Sequence, residues 1–345
     1  MGLLSMIFKS LLAGATAAVA LLTASGAVAQ TPAEFFKGKT IELYIAYSAG
    51  GGYDLYARMV ARHIGKHIPG NPQVVAKNME GAGGLRLANW LYQAAPQDGT
   101  VIGATSRNIA FEPLIGNKAA QYDSSQFTWL GSANDEVSTC VSWHTSGVVT
   151  IDDAVKRELI IGAIGTADDT YQYPSLLNHT IGTKFKIVPG YPGNNDISVA
   201  LERGEVSGRC GWSWSSVKST RAAWLQEKKI NILVQVSLSK HPDLPDVPLI
   251  MDLAKTDEQR QMFRLIFARQ VMGRPFQSTP GVPADRLHVL QTAFMDTMKD
   301  PAFLAEADKQ KFEITPVPGP AIEKLVTEIL RMPPELAERA GSLLK

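Results

Sequence analysis

This chain has no excess of either charge and, beyond its first residues, no long apolar segment. It contains 34 Lys and Arg against 33 Asp and Glu. A balanced charge gives no electrostatic basis for binding nucleic acid or an anionic membrane surface. After residue 29, no apolar run is long enough to span a bilayer. We therefore expect neither nucleic acid as a partner nor a membrane span in the mature chain.

Sequence patterns typical of several enzyme classes are also missing. There is no GxSxG motif, which a serine hydrolase of the α/β type would need. The glycines at 50–52 lack the last glycine of a dinucleotide-binding fingerprint. His63 and His67 are four apart on a predicted helix, but no glutamate stands beside them and no third zinc ligand is evident, which favours a solvated helix face. The sequence predicts a protein that is not an enzyme and needs no metal or cofactor.

The N-terminal segment has the composition of a secretory signal peptide. Lys9 is its only charge, an apolar stretch covers residues 11–22, and the small residues at 27–29 suit a peptidase, so cleavage is expected after Ala29. The alternative, a permanent membrane anchor, is less favoured because the uninterrupted apolar part is short. No cysteine follows closely, which argues against a lipid anchor. Removal of residues 1–29 would leave 316 residues with 33 basic and 33 acidic side chains, enough for two domains.

Cysteine is scarce, with only Cys140 and Cys210. An even number in an oxidising compartment allows a disulfide between them, and two buried free thiols are the alternative. His144 lies near Cys140, but this spacing matches no signature of a catalytic cysteine. Asp168 and Asp169 could act as an acid–base pair or as metal ligands, although two acids that enter a helix are ordinary capping chemistry.

Short apolar strands alternate with amphipathic helices along the mature chain. This alternation is typical of an α/β protein with mainly parallel sheets covered by helices. The predicted strands are residues 41–47, 73–76, 101–105, 128–132, 159–164, 185–189, 206–210 and 231–236. The predicted helices are residues 55–68, 84–95, 151–156, 170–181, 195–202, 217–227, 258–267, 284–299, 301–311 and 321–332.

The most informative segment is IELYIAYSAGGGYDLYAR, residues 41–58. A strand leads into three glycines and then into a helix, so main-chain N–H groups can approach a ligand closely and attract an anion. Asp54 can cap the helix or reach across the loop. Residues 165–170 and 189–195 repeat the strand, loop and helix order. Because ligands of open α/β sheets bind at the carboxyl ends of strands, three such loops predict an anion-binding cleft between two lobes.

Seven segments, in the same order along the chain, resemble the Bug-type extracytoplasmic solute-binding proteins, receptors of tripartite tricarboxylate transporters. The glycine loop with Asp54, Ala57 and Arg58 resembles the first family motif. The segment VVAKNMEGAGGLRLANWLYQAAPQDGT resembles the second, with Asn78, residues 81–84, Asp98 and Gly99. Gly165 and Thr166, the PGYPG loop, LERGEVSGRC, HPDLPDVPLI and VPADRLHVLQTAF match later features in the same order. The resemblance covers nearly the whole mature chain.

The resemblance implies a two-lobed periplasmic binding protein fold of type II-like architecture, with the cleft between two mainly parallel sheets. Residues 31–135 and 237–345 would form lobe one, and residues 136–236 lobe two. The expected protein is a periplasmic monomer that captures a small organic carboxylate and delivers it to the membrane components of such a transporter. The alternatives are a periplasmic sensor for a signalling partner and, less favoured, a secreted hydrolase.

The family binds its ligand largely through main-chain N–H groups and ordered waters, which assigns contacts on both lobes of this chain. This chain departs from the family where many members read Pro, Tyr, Lys, Gly, because its loop lacks the lysine and its tyrosine is displaced. A flat acid could stack on Tyr53, on Tyr191, or on Trp212 or Trp214, although each ring is more simply explained by packing. The full predicted ligand-binding set is Ser48, Ala49, Gly50, Gly51, Tyr53, Asp54, Ser106, Asn108, Gly165, Thr166, Asp168, Tyr191, Asn194 and Asp196.

Overall fold

The computed structural model describes residues 30–344, so the predicted signal peptide lies outside the described residues. The strands are β1 Thr40–Ile45, β2 Gln73–Asn78, β3 Val101–Ala104, β4 Thr128–Ser132, β5 Ser138–Trp143, β6 Glu158–Ala163, β7 Lys184–Pro189, β8 Gly208–Ser213, β9 Ile230–Val236, β10 Pro275–Ser278 and β11 Val317–Pro318. The helices are α1 Pro32–Phe36, α2 Gly52–Ile64, α3 Leu85–Gln93, α4 Ile151–Lys156, α5 Asp169–Ile181, α6 Asn194–Glu202, α7 Trp214–Thr220, α8 Ala222–Gln226, α9 Asp257–Phe267, α10 Ala284–Thr297, α11 Pro301–Lys309, α12 Gly319–Leu330 and α13 Pro334–Leu343.

The strands form two sheets, which confirms the predicted two-lobed α/β class. The first sheet has the order β11-β4-β10-β3-β1-β2 and the second has the order β7-β6-β8-β5-β9. Both are mixed rather than mainly parallel. β10 runs antiparallel to β3 and β4, and β5 runs antiparallel to β8 and β9. The predicted strands do not include β5, β10 or β11, and the strands that were predicted run parallel to one another within each sheet.

The predicted glycine loop lies in the part of the first sheet where the strands are parallel. Alternate residues of β1 are buried, with Ile41, Leu43 and Ile45 fully enclosed. β1 pairs in parallel with β2 and β3, so all three strands end at the same side of the sheet. Helix α2 follows β1 and packs its apolar face, including Met59 and Val60, into the same core. The loop between β1 and α2 therefore lies at the carboxyl ends of these parallel strands.

The strands of the second sheet lie between residues 138 and 236, and those of the first lie before and after them. The exact lobe boundaries at residues 135 and 237 stay a prediction. The largest apolar core contains residues of both parts, such as Leu85 and Tyr173, so the two parts pack against each other. Within residues 30–344, no helix has the length and apolar character needed to cross a bilayer.

Cys140 and Cys210 form a disulfide that links β5 to β8. Of the two alternatives that the sequence left open, the structure therefore has the bonded one. The helix predicted over 217–227 is instead two helices, α7 and α8, because Arg221 between them leaves the helical region with φ −141° and ψ 35°. At the other end of the described chain, α13 returns to α5, where Ser175 Oγ donates to the carbonyl oxygen of Leu343 at 3.2 Å.

Candidate functional site

The carboxylate of Asp54 holds the first loop, residues 46–52, in place. The main-chain N–H of Gly50 donates to Asp54 Oδ2 at 3.0 Å. Asp54 Oδ1 accepts from Asn78 Nδ2 at 2.8 Å and from Arg58 Nε at 2.9 Å. The Asp54 side chain is buried and both of its oxygens are occupied by the protein. Of the two roles predicted for Asp54, this geometry favours the loop organiser over the ligand acceptor.

The first loop lies directly against the start of α6. Ser48 Oγ donates to Asp196 Oδ2 at 2.6 Å. A Cβ placed on Gly51 would lie 3.4 Å from Asn194 Cβ, and one placed on Gly193 would overlap Ser48 Oγ. The N-termini of α2 and α6 therefore face each other across the contact between the two sheets. Helix N-termini favour a nearby anion, so this contact is the candidate anion site.

A second contact joins the first loop to the Gly165 loop, residues 164–168. The hydroxyl of Tyr47 donates to Asp168 Oδ2 at 2.8 Å. Asn108 Nδ2 donates to the carbonyl oxygen of Ala167 at 3.1 Å. A Cβ on Gly83 would lie 2.9 Å from the carbonyl carbon of Ala167, so the backbones of these loops approach closely. The three predicted loops thus converge on one region of the molecule.

Burial disfavours the charged form of Asp168. Burial raises the pKa of its carboxyl, and the neighbouring Asp169 raises that pKa further. Burial also raises the pKa of Tyr47 well above its usual value, and Asp168 adds to this effect. Tyr47 therefore keeps its proton and donates a hydrogen bond to Asp168. Asp168 also caps α5, since its Oδ1 accepts from the Thr170 N–H at 2.9 Å.

Buried arginines connect the two parts of the chain behind these loops. Arg107 Nε lies 3.1 Å from Asp169 Oδ2 and 3.1 Å from the Tyr53 hydroxyl, and its Nη2 donates to Ser213 Oγ at 2.8 Å. Arg274 Nη1 donates to the same Ser213 oxygen at 3.0 Å. These arginines were not among the predicted site residues, because arginine is mostly exposed in proteins. No local signal marks them as buried.

The structure brings together some of the predicted site residues and places others elsewhere. Ser48, Gly50 and Gly51 lie against residues 194–196, and Asn108 and Asp168 lie at the second contact. Ser106 is buried beside the second contact, where its Oγ accepts from the Asn108 N–H at 3.2 Å. Gly165 lies opposite the backbone of Ala82 and Gly83, whereas Ala49 is exposed.

The predicted aromatic residues and Thr166 have other surroundings. The ring of Tyr53 packs against Tyr47, with centroids 4.6 Å apart, and Arg274 lies 4.6 Å from its centroid. Tyr191 packs against the apolar cores of the second sheet. Thr166 is exposed and lines a cavity of about 400 Å³ together with Glu112 and Gln172, and the described residues lining that cavity include none of the first loop. The two rings therefore contribute packing in this conformation.

Among residues 30–344, the group that could hold a metal ion is His241, Asp243 and Glu313. Lys218 already occupies it, since its Nζ lies 2.6 Å from Asp243 Oδ2 and also pairs with Glu313. An ammonium group between two carboxylates supplies the positive charge that a metal would bring. The predicted solvated face of His63 and His67 is instead partly buried against α11, where the two rings pair with Glu306 and Asp300 at 2.7 and 3.0 Å.

Solved structures share this fold. BugD, a periplasmic binding protein, has a TM-score of 0.68 at 18% identity, over 88% of this chain and 97% of that one. MatC from Rhodopseudomonas palustris, solved with bound malate, has a TM-score of 0.68 at 17% identity, over 89% and 99%. A third, R. palustris Rpa4515 with adipate, has a TM-score of 0.68 at 17% identity, over 88% and 97%.

Two curated protein sequences are also similar to this chain. A protein of Pseudomonas sp. strain P51, described as "UPF0065 protein in tcbD-tcbE intergenic region", is 25% identical over 244 residues, or 69% of this chain and 70% of that one. A UPF0065 protein from Cupriavidus necator is 26% identical over 265 residues, or 74% and 76%. No family model matches the chain.

The fold is that of the two-lobed periplasmic binding proteins. The predicted resemblance to Bug-type solute-binding proteins is confirmed, since BugD and a TctC solute-binding protein from Polaromonas are among the structural neighbours.

Proposed function

We propose that this chain is a non-enzymatic receptor of the periplasm. It captures a small organic carboxylate between its two lobes and delivers it to a tripartite tricarboxylate-type membrane transporter. Lobe one comprises residues 31–135 and 237–345, and lobe two comprises residues 136–236. Carboxylates in two structural neighbours, malate in MatC and adipate in Rpa4515, support the ligand class.

The observation that carries this proposal is the direct meeting of the first loop with the start of α6. Ser48, Gly50 and Gly51 lie opposite residues 194–196, so two helix N-termini meet here. A carboxylate taken out of water needs all of its oxygens hydrogen-bonded. Only the closed arrangement offers donors from both sides, so ligand binding favours closure. Both halves of the site come from one chain, which supports a monomer as the functional unit.

The ligand class is tested with the purified mature chain, residues 30–345. A thermal-shift screen would include mono-, di- and tricarboxylates, both aliphatic and aromatic, with malate and adipate among them. A carboxylate that binds only the folded state adds about 2.7 kcal/mol to the free energy of unfolding when its free concentration is a hundred times its Kd, and this raises the melting temperature. We expect at least one carboxylate to do so, with calorimetry giving a 1:1 stoichiometry. If no carboxylate shifts the melting temperature while neutral solutes do, the proposed ligand class is wrong.

Delivery to a transporter needs a separate experiment in cells. Deletion of the gene should abolish uptake of the radiolabelled acid identified in the screen, and the full-length chain should restore it. A chain whose first loop carries Gly51→Val should be exported to the periplasm equally well but should not restore uptake. Normal uptake in the deletion strain, combined with a lost transcriptional response to the acid, would instead identify a sensor.

A further inference from the structure

One buried arginine of this molecule has no carboxylate partner. Four arginines among residues 30–344 are almost completely buried. Three of them form ion pairs with buried carboxylates: Arg107 and Arg269 with Asp169, and Arg274 with Glu136. Arg209 forms no ion pair with any described residue, and its Nε has no hydrogen-bond partner there. A buried charge without a partner is costly, so its presence calls for an explanation.

Arg209 lies directly behind the candidate anion site. Its Nη1 donates to the carbonyl oxygen of Asn194 at 2.8 Å and to Ser198 Oγ at 3.0 Å, and its Nη2 donates to the side-chain oxygen of Asn194. Its guanidinium carbon lies 4.3 Å from the centroid of the Trp212 ring. Asn194 is the first residue of α6 and the one that faces Gly51. The positive charge is therefore placed at the helix N-terminus that meets the first loop.

The surroundings do not neutralise this charge. Burial lowers the pKa of Arg209 to about 9, which means that its charged form is less stable here than in water; Asp168 opposes this effect and Arg221 adds to it. Arg221 is itself held at the site, with its Nη2 donating to Asn195 Oδ1 at 2.9 Å. Asp196 also lies in the first turn of α6, but it is partly exposed, accepts from Ser48 and is not within ion-pair distance of Arg209.

We propose that Arg209 is the buried cation that gives this receptor its preference for anionic ligands, and that a carboxylate bound at the start of α6 supplies its missing counter-charge. This rests on the proposed function and deepens it, because it adds a charged group to a site otherwise built from main-chain N–H groups. Arg209 acts through Asn194 and through its electric field. In a low-dielectric site, an unscreened cation discriminates strongly between an acid and its amide.

The test compares each acid with its uncharged diamide in calorimetry: adipate with adipamide, and malate with malamide. We expect the wild type to bind one of the acids more tightly than its diamide. Arg209→Gln should weaken binding of that acid by about tenfold or more and leave binding of the diamide nearly unchanged. Arg209→Lys keeps a charge but not the paired contacts to Asn194, so it should retain part of the preference for the acid. The control is Arg157→Gln, which removes an exposed arginine of the same lobe that forms no ion pair with a described residue and should not change the ratio.

Equal weakening of acid and diamide by Arg209→Gln would overturn the proposal, because Arg209 would then only position Asn194. Diamides that bind as well as the acids in the wild type would also overturn it, and would count against the carboxylate receptor as well. If acids bind and Arg209→Gln has no effect, the receptor stands and the counter-charge is wrong. If Arg209→Gln does not fold, the salt dependence of the wild-type protein tests the proposal instead. Its acid preference should change by no more than about twofold between low and high salt, since buried charges are poorly screened, and a salt-induced loss of preference would refute a buried cation.

Discussion

Gly193→Ala should prevent the closed arrangement without disturbing either lobe. Gly193 has extended backbone angles, φ −170° and ψ −176°, which alanine also adopts. An added Cβ would overlap Ser48 Oγ and would lie 3.1 Å from both Cβ and the main-chain nitrogen of Ser48. The hydroxyl can rotate away, but the nitrogen belongs to the first loop and can move only with it. The methyl group therefore acts between the lobes and not within one of them.

The expected loss of affinity can be estimated from the interaction that the methyl group displaces. Rotation of Ser48 removes its 2.6 Å hydrogen bond to the carboxylate of Asp196. Hydrogen bonds to charged groups contribute about 1.5–3 kcal/mol, and the resulting shift in Kd is about 10- to 150-fold. The close approach to the backbone of the first loop adds to this cost. The proposed capture mechanism requires an open form without ligand, so the melting temperature of the ligand-free protein should fall only slightly.

The measurement is calorimetry of Gly193→Ala, Ser48→Ala and the double variant with the best carboxylate from the screen. Ser48→Ala alone should lose the hydrogen bond but not introduce the methyl group. In the double variant the two losses should not add, because both act on the same hydrogen bond. Affinity of Gly193→Ala within about twofold of the wild type would refute the inferred closure at this contact.

Three further predictions follow from other parts of the molecule. Gly51→Val should weaken carboxylate binding by about tenfold or more in calorimetry because its branches would press on the opposing loop, whereas Gly51→Ala, with Cβ at 3.4 Å, should have little effect; equal effects would contradict this. Replacing both Cys140 and Cys210 with Ala should lower the free energy of unfolding by about 2–4 kcal/mol in urea titrations, and an unchanged midpoint would count against the bond. Hydrogen bonding to Lys66 lowers the pKa of Asp300. The stability that the ionised Asp300 provides is therefore present above about pH 4 and is lost as the pH falls further. The melting temperature of Asp300→Asn should approach that of the wild type under acid, and a difference between the two that is independent of pH would be inconsistent with this.

The sequence predicts those parts of the fold that depend on local residue patterns. Alternating burial in β1 and the apolar face of α2 are both visible in the sequence, and the glycines between them mark the loop. β10 is only four residues long, begins with proline and lies far along the chain from its partners. β11 has two residues. Strands this short carry no periodicity, which is why the first sheet was predicted as mainly parallel. β5 has six residues, but five of them in a row are buried, so it shows no alternation either.

The site shows a similar division. The sequence identified the loops, because glycine and helix starts are local features, and it paired residues as distant as Ser48 and Asp196 only through the general rule for strand ends. Asn78 was visible in the second motif but its bond to Asp54 was not predicted. The burial of Arg107 and Arg209 depends on what packs over them from remote segments, so no window of sequence reveals it.

The hydrogen bonds that converge on Asp54 have a consequence for the rate at which the proposed receptor captures its ligand. Since Gly50, Arg58 and Asn78 already hold this carboxylate, the first loop is ordered by folding and has little conformational freedom left to lose on encounter with solute. Because the loop is already ordered, closure of the lobes becomes the slow step. Ligand capture should therefore be limited by domain motion on the microsecond to millisecond scale and not by loop ordering.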